Sequence, residues 1–138
     1  MIELVTLLRT LYFLKHNCHN LVAKQSFFAD HTFLAESYNM TLDHYDSVVE
    51  RLIGFGHIPD LVSIQVNAAS KLKSIPLAYK DNIECFQAIL HINKAILQMI
   101  ESICKTAGLT QGVLQLLGGI ADQIEIENYK LGQRVKGK

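Results

Sequence analysis

The sequence predicts an all-α protein, and three observations favour this fold class. Hydrophobic residues recur every three or four positions along most of the chain, as the buried face of a helix requires. Only two prolines and eight glycines occur in 138 residues, too few for the frequent turns of a many-stranded β fold. Hydrophobic residues make up 49% of the chain and charged residues 19%, so a packed core is expected. We therefore expect a single all-α domain over residues 1–138.

Two long helices are predicted in the first part of the chain. The apolar face of the first consists of Val5, Leu8, Leu11, Cys18 and Val22. The second keeps the same period from Phe27 to Ile53, and Gly54-Phe55-Gly56 is typical of a helix C-terminus. Between the two helices, Ser26 is the one plausible N-cap.

A longer connection separates these helices from a third. The connection, His57–Pro76, contains both prolines and has room for a short helix over Leu61–Leu72. The helical period then returns over Tyr79–Ala107, with Gly108 as the C-cap.

A last helix is predicted to begin at Thr110 and, after Leu131, to fade into Gly132–Lys138. It contains Gly118-Gly119, a pair that we expect to permit the close approach of another helix. Four long helices of about 22 to 28 residues and one longer connection predict a four-helix bundle with a crossover. The short extra helix lies in the middle connection.

Composition limits the partners and the location of the protein. Thirteen Lys and Arg residues balance thirteen Asp and Glu residues, so the basic footprint of a stand-alone nucleic-acid binder is missing. No uncharged apolar stretch of about 18 residues is present, and Glu3 and Arg9 interrupt Met1–Leu14 in a way unlike an export signal. Three cysteines without CxxC spacing predict reduced thiols. We expect a cytoplasmic protein with no membrane partner.

Polar residues of the second predicted helix set a geometric problem. Asp46 and Glu50 are four residues apart, so both carboxylates project to one side of the helix. His31 is offset from Asp46 by only about 60° around the helix axis. Along the axis, however, about 22 Å separates His31 from Asp46, far more than one metal ion can bridge.

Two antiparallel copies of this helix solve the problem. If the helices pair about a twofold axis near Asn39–Met40, His31 of one chain falls opposite Asp46 and Glu50 of the other. His19, near the end of the first helix, can approach His31 across the short corner between the helices. Two imidazoles facing two carboxylates suit ferrous iron or another first-row ion.

The spacing of these residues also carries a resemblance. His31 follows His19 by twelve residues, and Asp46-Ser-Val-Val-Glu50-Arg51 begins fifteen residues after His31. This pattern resembles the motif of the mini-ferritins called Dps (DNA-binding proteins from starved cells), in the ferritin-like superfamily. Phe27 and Tyr38 also stand where that family is aromatic or apolar.

The resemblance implies a specific function. It implies a ferritin-like bundle, a hollow shell of twelve subunits, and ferroxidase centres at dimer interfaces. These centres would oxidise Fe(II) with hydrogen peroxide or dioxygen, and the Fe(III) mineral would be stored inside. Carried over position by position, the metal ligands are His19 and His31 of one subunit and Asp46 and Glu50 of its mate.

The chain departs from the family pattern near the second histidine. The family usually has a carboxylate four residues after that histidine, where this chain has Ala35. Glu36 is a substitute ligand only if it swings back by about 100° around the helix. Because Ala35 supplies no carboxylate, the position of a second iron ion is weakened. Slow oxidation of iron, or selectivity for another ion such as Zn(II), is then an alternative. The second functional hypothesis is therefore a metal-sequestering or DNA-associated cage without a competent ferroxidase centre.

Other polar residues carry weaker expectations. The basic tail consists of Lys130, Arg134, Lys136 and Lys138. Twelve copies of this tail would make weak contacts with DNA phosphates, although a frayed helix end is the preferred interpretation. Four histidines are interpreted as surface or core residues: His16, His44, His57 and His91. Three acidic residues either line the shell interior or occupy an ordinary exposed helix face: Asp122, Glu125 and Glu127.

Overall fold

A computed structural model describes residues 1–75 and 77–137, and these residues form five helices and no strand. The helices are α1 (Ile2–Leu21), α2 (Phe27–Gly54), α3 (Leu61–Lys73), α4 (Asn82–Cys104) and α5 (Gln111–Gly137). The all-α prediction is confirmed, and α3 occupies the place of the short helix predicted in the middle connection.

The corner between α1 and α2 is built without glycine or proline. Val22 leaves α1 in an extended conformation, and Lys24 adopts the left-handed region with φ of 68°. Ser26 occupies the N-cap position as predicted, but its side chain makes no capping hydrogen bond. Its carbonyl accepts the first hydrogen bond of α2, from the backbone N–H of Asp30 at 2.9 Å. The left-handed Lys24 therefore makes the turn that brings the end of α1 against the start of α2.

The start of α4 differs from the prediction. α4 begins at Asn82 rather than Tyr79, because the Asp81 side chain accepts from the backbone N–H of Glu84 at 2.9 Å and so caps the helix. The Glu84 carboxylate in turn accepts from the backbone N–H groups of Ala78 and Lys80. Tyr79, between them, has φ of 53° and cannot continue a right-handed helix.

The end of α5 also differs. The helix continues to Gly137 instead of fading after Leu131. Its last turns are held in place because Val135 packs against the core and Arg134 forms an ion pair with Asp30 of α2. Lys138, like Pro76, lies outside the described residues.

One continuous cluster of buried hydrophobic side chains draws on all five helices. Members from α1 to α5 in turn include Leu11, Leu34, Ile64, Ile96 and Leu117. α1 packs against α2, α3 and α4, while α5 packs against α4 and, less extensively, against α2. Each fully buried Leu or Ile contributes about 1.5–3 kcal/mol of transfer free energy.

The interpretation of Gly118-Gly119 as a close-approach site is wrong within the chain. A Cβ atom on either glycine would meet no heavy atom within 4 Å. Among the helices of the described residues, none is both long and apolar enough to span a bilayer.

Candidate metal centre

His19 and His31 meet at the corner between α1 and α2. His19 lies in the last turn of α1 and His31 near the start of α2. Their rings stack with centroids 3.7 Å apart and planes inclined by 23°. The sequence-based expectation that these two side chains approach each other across the corner is therefore confirmed.

The two histidines are held by a reciprocal pair of hydrogen bonds. His19 Nδ1 lies 2.9 Å from the carbonyl oxygen of His31, and His31 Nδ1 lies 2.9 Å from the carbonyl oxygen of His19. Because a carbonyl oxygen only accepts, each Nδ1 must carry the proton and donate. In the neutral rings each Nε2 then holds a lone pair. Neither Nε2 has a hydrogen-bond partner within residues 1–75 and 77–137. A second ring nitrogen fixed by a carbonyl is the usual arrangement of a metal-binding histidine.

Aromatic side chains surround the imidazole pair. Phe27 stacks on His31 with ring centroids 4.8 Å apart. Tyr38 meets His19 edge-on at 5.3 Å, and His16 lies 4.8 Å from Tyr38. These contacts limit rotation of both imidazoles and leave them only partly exposed to solvent.

Asp46 and Glu50 lie far along α2 from His31, as the helical rise requires. Both residues are exposed. Neither carboxylate has a hydrogen bond or an ion pair to another described residue. In those same parts of one chain, no three His, Cys, Asp or Glu side chains are grouped closely enough to hold a metal ion. A single chain therefore brings the two imidazoles together but leaves Asp46 and Glu50 far from them.

Ala35 follows His31 by four residues and occupies the position where the mini-ferritin motif usually has a carboxylate, so a methyl group stands there. Ala35 is half-buried, and its carbonyl accepts from Asn39 Nδ2 at 2.9 Å. Glu36 is exposed and lines a cavity of about 290 Å³ between α2 and α5, together with Gln123 and Glu127. Glu36 thus lies on the side of α2 that faces α5, whereas His31 faces the end of α1.

A second polar cluster occupies the centre of the bundle. Lys15 Nζ lies 2.9 Å from Glu127 Oε1, and both side chains are buried, at 0% and 6% exposure. Lys15 also donates to Thr41 Oγ1 at 2.8 Å. Glu127 accepts from Ser37 Oγ at 2.6 Å and from Asn93 Nδ2 at 3.1 Å. We call these five residues the central network; α1, α2, α4 and α5 each contribute to it.

Burial dominates the electrostatics of the central network. It lowers the pKa of Lys15, and the attraction and hydrogen bond of Glu127 oppose that shift. Glu127 therefore does not line a shell interior, one of the two sequence-based interpretations, whereas Asp122 and Glu125 are exposed. Nearby, burial also lowers the pKa of His44, which hydrogen-bonds to Gln123 through Nε2. His44 is thus a core residue, in agreement with one of its predicted interpretations.

The sequence contained a signal for the central network that the polar-residue argument missed. Lys15 stands between Leu11 and Cys18 on the apolar stripe of α1, and Glu127 stands between Ile124 and Leu131 on that of α5. A charged residue inside an apolar stripe is expected to find a buried partner. One cation and one anion, each on such a stripe, predict this pair.

The central network bears on where a metal site can lie, at the centre of the bundle or at the corner between α1 and α2. Di-metal proteins with the metals inside the bundle use inward-facing glutamates and a Glu-x-x-His sequence on two of the helices. No Glu-x-x-His occurs in this chain. The ammonium group of Lys15 occupies the bundle centre and already neutralises Glu127. The candidate metal centre is therefore the imidazole pair at the corner.

Arg134, one of the cations of the basic tail, forms an ion pair with Asp30 of α2. It donates to Asp30 through Nε at 3.1 Å and through Nη2 at 2.9 Å, and Asn82 Nδ2 donates to the same carboxylate at 2.8 Å. Lys130 and Lys136 are exposed. The basic tail, for which DNA contact was the less favoured interpretation, thus presents two exposed cations among the described residues, and Lys138 lies outside them.

The described residues form an all-α bundle with two stacked histidines at the corner between α1 and α2. A family model described as a ferritin-like domain matches residues 2–134, so the chain belongs to the ferritin-like family. No curated protein and no solved structure matched the chain.

Proposed function

We propose that this protein stores and detoxifies iron as a Dps-like member of the ferritin-like family. It oxidises Fe(II) with hydrogen peroxide or dioxygen at sites between subunits and retains Fe(III) in a hollow shell of twelve subunits. His19 and His31 of one subunit and the partner subunit's Asp46 and Glu50 hold the iron.

One observation carries this proposal: both imidazoles at the corner direct Nδ1 to a carbonyl and leave Nε2 without a partner among the described residues. A structural histidine in a core normally satisfies its polar atoms within the chain. Two adjacent imidazoles with open lone pairs instead form half of a coordination shell. Asp46 and Glu50, which are exposed and have no partner in residues 1–75 and 77–137, supply the other half.

The exposed face of α2 supports the pairing of two copies. At about 100° per residue, Phe28, Asp46, Glu50 and Ile53 fall within a sector of about 60°, adjacent to His31. Phe28 is 84% exposed and Ile53 42% exposed, although both are large apolar side chains. Antiparallel pairing about Asn39–Met40 buries Phe28 against the end of the partner's α2 that carries Ile53. The same pairing places His31 opposite the partner's Asp46 and Glu50.

The donor set suits ferrous iron as a substrate. Neutral imidazoles bind Fe(II), and carboxylates favour the harder Fe(III) product. When peroxide is the oxidant, two Fe(II) ions each lose one electron, the O–O bond breaks, and two protons complete two molecules of water. The chain supplies binding and orientation, and the aromatic wall around the imidazoles restricts solvent at the site.

Ala35 favours a second candidate function. With a methyl group in place of a usual carboxylate, the site has one oxygen donor fewer for a second metal ion. Four donors of mixed nitrogen and oxygen type also suit a tetrahedral Zn(II) ion. The second candidate is therefore a cage that sequesters a metal ion without rapid oxidation.

Location and DNA binding complete the proposal. Cys18, Cys85 and Cys104 are free thiols, as is usual in a reducing compartment, so we place the protein in the cytoplasm. Because Arg134 is held by Asp30, Lys130 and Lys136 provide at most weak contacts to DNA.

Ferrous iron and peroxide, followed by the absorbance of the ferric product, test the proposal. We expect His31→Ala to lower the initial rate by about tenfold or more, since it removes a metal ligand. His91→Ala, which alters an exposed histidine of α4, is the matched control and should match the wild type. Equal rates for the wild type, His31→Ala and buffer would exclude the ferroxidase. Tight Zn(II) binding without iron oxidation would favour the second candidate.

A further inference from the structure

Asn82, the first residue of α4, holds both sides of the corner between α1 and α2. Its Oδ1 accepts from the backbone N–H of Ala23 at 3.1 Å, and its Nδ2 donates to the Ala23 carbonyl at 3.0 Å. Nδ2 also donates to Asp30 Oδ2 at 2.8 Å. Ala23 lies just beyond the end of α1, and Asp30 directly precedes His31 in the first turn of α2. One amide side chain therefore links the exit of α1 to the beginning of α2.

This set of bonds requires a carboxamide. The side chain of asparagine has one acceptor oxygen and two N–H groups, and here the oxygen and Nδ2 are both in use. An aspartate at this position would keep the acceptor but lose both donors. Because the donors face a carbonyl and a carboxylate, which only accept, the orientation of the amide is fixed by its partners.

The corner contains little else that fixes its shape. Residues 22–26 include neither glycine nor proline, and the side chain of Ser26 makes no capping bond. Lys24 nevertheless adopts φ of 68°, in the left-handed region that side chains other than glycine rarely occupy. Such a conformation persists where its surroundings impose it. Ala23, which Asn82 holds by both backbone groups, directly precedes Lys24.

The imidazole pair depends on the shape of this corner. Each Nδ1 reaches the backbone carbonyl of the other histidine at 2.9 Å, so the two bonds join the last turn of α1 to the start of α2. A slip of about 1 Å between the two helices would lengthen both bonds beyond the hydrogen-bonding range. The tautomers would then no longer be fixed, and the two Nε2 atoms would no longer be held beside each other.

We propose that Asn82 is the positioning residue of the imidazole pair. By holding Ala23 and Asp30, it sets the register of α1 and α2 in which both Nε2 atoms are free to bind a metal ion. Asn82 itself has no hydrogen bond to either imidazole among the residues that the structure describes, so it acts through the backbone of the corner. This inference deepens the proposed function and, for the metal ion, rests on it.

The first test needs no metal ion. Long-range 1H–15N NMR spectra of the metal-free full chain, recorded at about pH 8 where an ordinary imidazole is neutral, report which ring nitrogen carries the proton. In the wild type we expect the Nδ1–H tautomer for His19 and His31. In Asn82→Ala both histidines should give the averaged signals of exchanging tautomers. A residue with only a structural role would not change these signals in a protein that stays folded.

The second test is calorimetric titration with Zn(II) as the probe. We expect Asn82→Ala to bind Zn(II) about tenfold or more weakly than the wild type, as when the partner of a metal-binding histidine is lost. Arg134→Ala is the matched control, because it removes the other partner of Asp30 but leaves the bonds to Ala23. It should keep the tautomers and the Zn(II) affinity of the wild type even though its stability is lower.

A second variant covers the case in which Asn82→Ala does not fold. Asn82→Asp keeps the acceptor for the N–H of Ala23 and places an acidic residue in the first turn of α4, where it suits the helix dipole. Because it lacks the N–H donors, it should change the tautomers and the Zn(II) affinity in the same direction. Far-UV circular dichroism checks the fold of each variant.

Two results would overturn the proposal. One is wild-type tautomers and a Zn(II) affinity within about twofold of the wild type in a folded Asn82 variant. The other is an equal loss in Arg134→Ala, because general destabilisation would then explain both. If the wild type itself bound no Zn(II), the proposed metal function would fail, and the tautomers alone would decide whether Asn82 positions the pair. The two proposals therefore fail separately.

Discussion

The imidazole pair at the corner and the central network lie within the same bundle and share α1 and α2, but their polar atoms are used differently. In the central network, Lys15 and Glu127 neutralise each other, Lys15 donates to Thr41, and Glu127 accepts from Ser37. At the corner, one nitrogen of each of His19 and His31 is hydrogen-bonded, and the other has no partner in the part of the chain that the structure describes. Among the described residues, the two charges of the central network are paired with each other, although the buried Asn93 Oδ1 has no partner, whereas the corner leaves the Nε2 atoms of both imidazoles without one.

This difference teaches how to separate a structural polar cluster from a binding site. Residue type does not suffice to separate them, because a buried glutamate beside a histidine in the bundle centre resembles a metal site. What decides is whether the donor and acceptor atoms are already used within the chain. We therefore expect variants of the central network to change stability, and variants of the corner to change metal binding.

The largest effect on stability is expected from Lys15→Met. It removes the cation and leaves Glu127 buried without its counter-charge, so we expect the free energy of unfolding to fall by about 3–5 kcal/mol. Urea denaturation of the iron-free protein measures this loss. Lys105→Met is the matched control, because its ion pair with Glu101 is 75–76% exposed and is worth about 0.5 kcal/mol or less. Equal losses in the two variants would contradict the assignment of the central network as a structural element.

The next effect concerns metal-linked stability. Zn(II) or anaerobic Fe(II) at about 100 times its dissociation constant should stabilise the wild type by about 2.7 kcal/mol, because only the folded state forms the site. His31→Ala should lose this gain while keeping most of the stability of the metal-free wild type. His91→Ala should keep it. If His31→Ala gained as much stability from metal as the wild type, the corner would not be the binding site.

A smaller effect is expected where α5 is tied to α2. Arg134→Ala removes both hydrogen bonds from the guanidinium to Asp30, a carboxylate only 5% exposed. We expect a loss of about 1.5–3 kcal/mol in the free energy of unfolding, since bonds to a charged group are broken. Lys136→Ala, at an exposed position, should stay within about 0.5 kcal/mol of the wild type. If metal still stabilises Arg134→Ala as it stabilises the wild type, the ion pair between Arg134 and Asp30 has a structural role and is not part of the metal site.

The smallest effect tests the hydrogen bonds of the Thr41 hydroxyl. Thr41→Val keeps the shape of the side chain but removes the acceptor for Lys15, whose remaining partner is Glu127, and the donor to the Ser37 carbonyl. We expect a loss of about 0.5–1.5 kcal/mol, measured by chemical denaturation. A loss as large as that of Lys15→Met would mean that Thr41 contributes through packing rather than through these bonds.

The sequence allowed prediction of the elements and of half of the candidate site. Helical periodicity predicts α1 to α5 because each buries an apolar stripe, and the spacing of His19 and His31 places both beside the corner. The end points were less predictable: the Asp81 cap sets the start of α4, and the Arg134–Asp30 ion pair helps to extend α5. These contacts join residues far apart in the chain, so local patterns do not contain them. The pairing of His31 with a second chain stays a prediction, because it depends on a surface and not on the fold of one copy.

The most direct test of the account mixes two inactive variants. His19→Ala/His31→Ala lacks both imidazoles, and Asp46→Asn/Glu50→Gln lacks both carboxylates, so each alone should be inactive. After dissociation and random reassociation, every mixed dimer contains one intact site, and about a quarter of the wild-type sites should return. We predict that the mixture recovers ferrous oxidation to about that extent. If mixed dimers form, as shown by mass spectrometry, and activity stays at the level of either variant alone, the shared site between two subunits is contradicted.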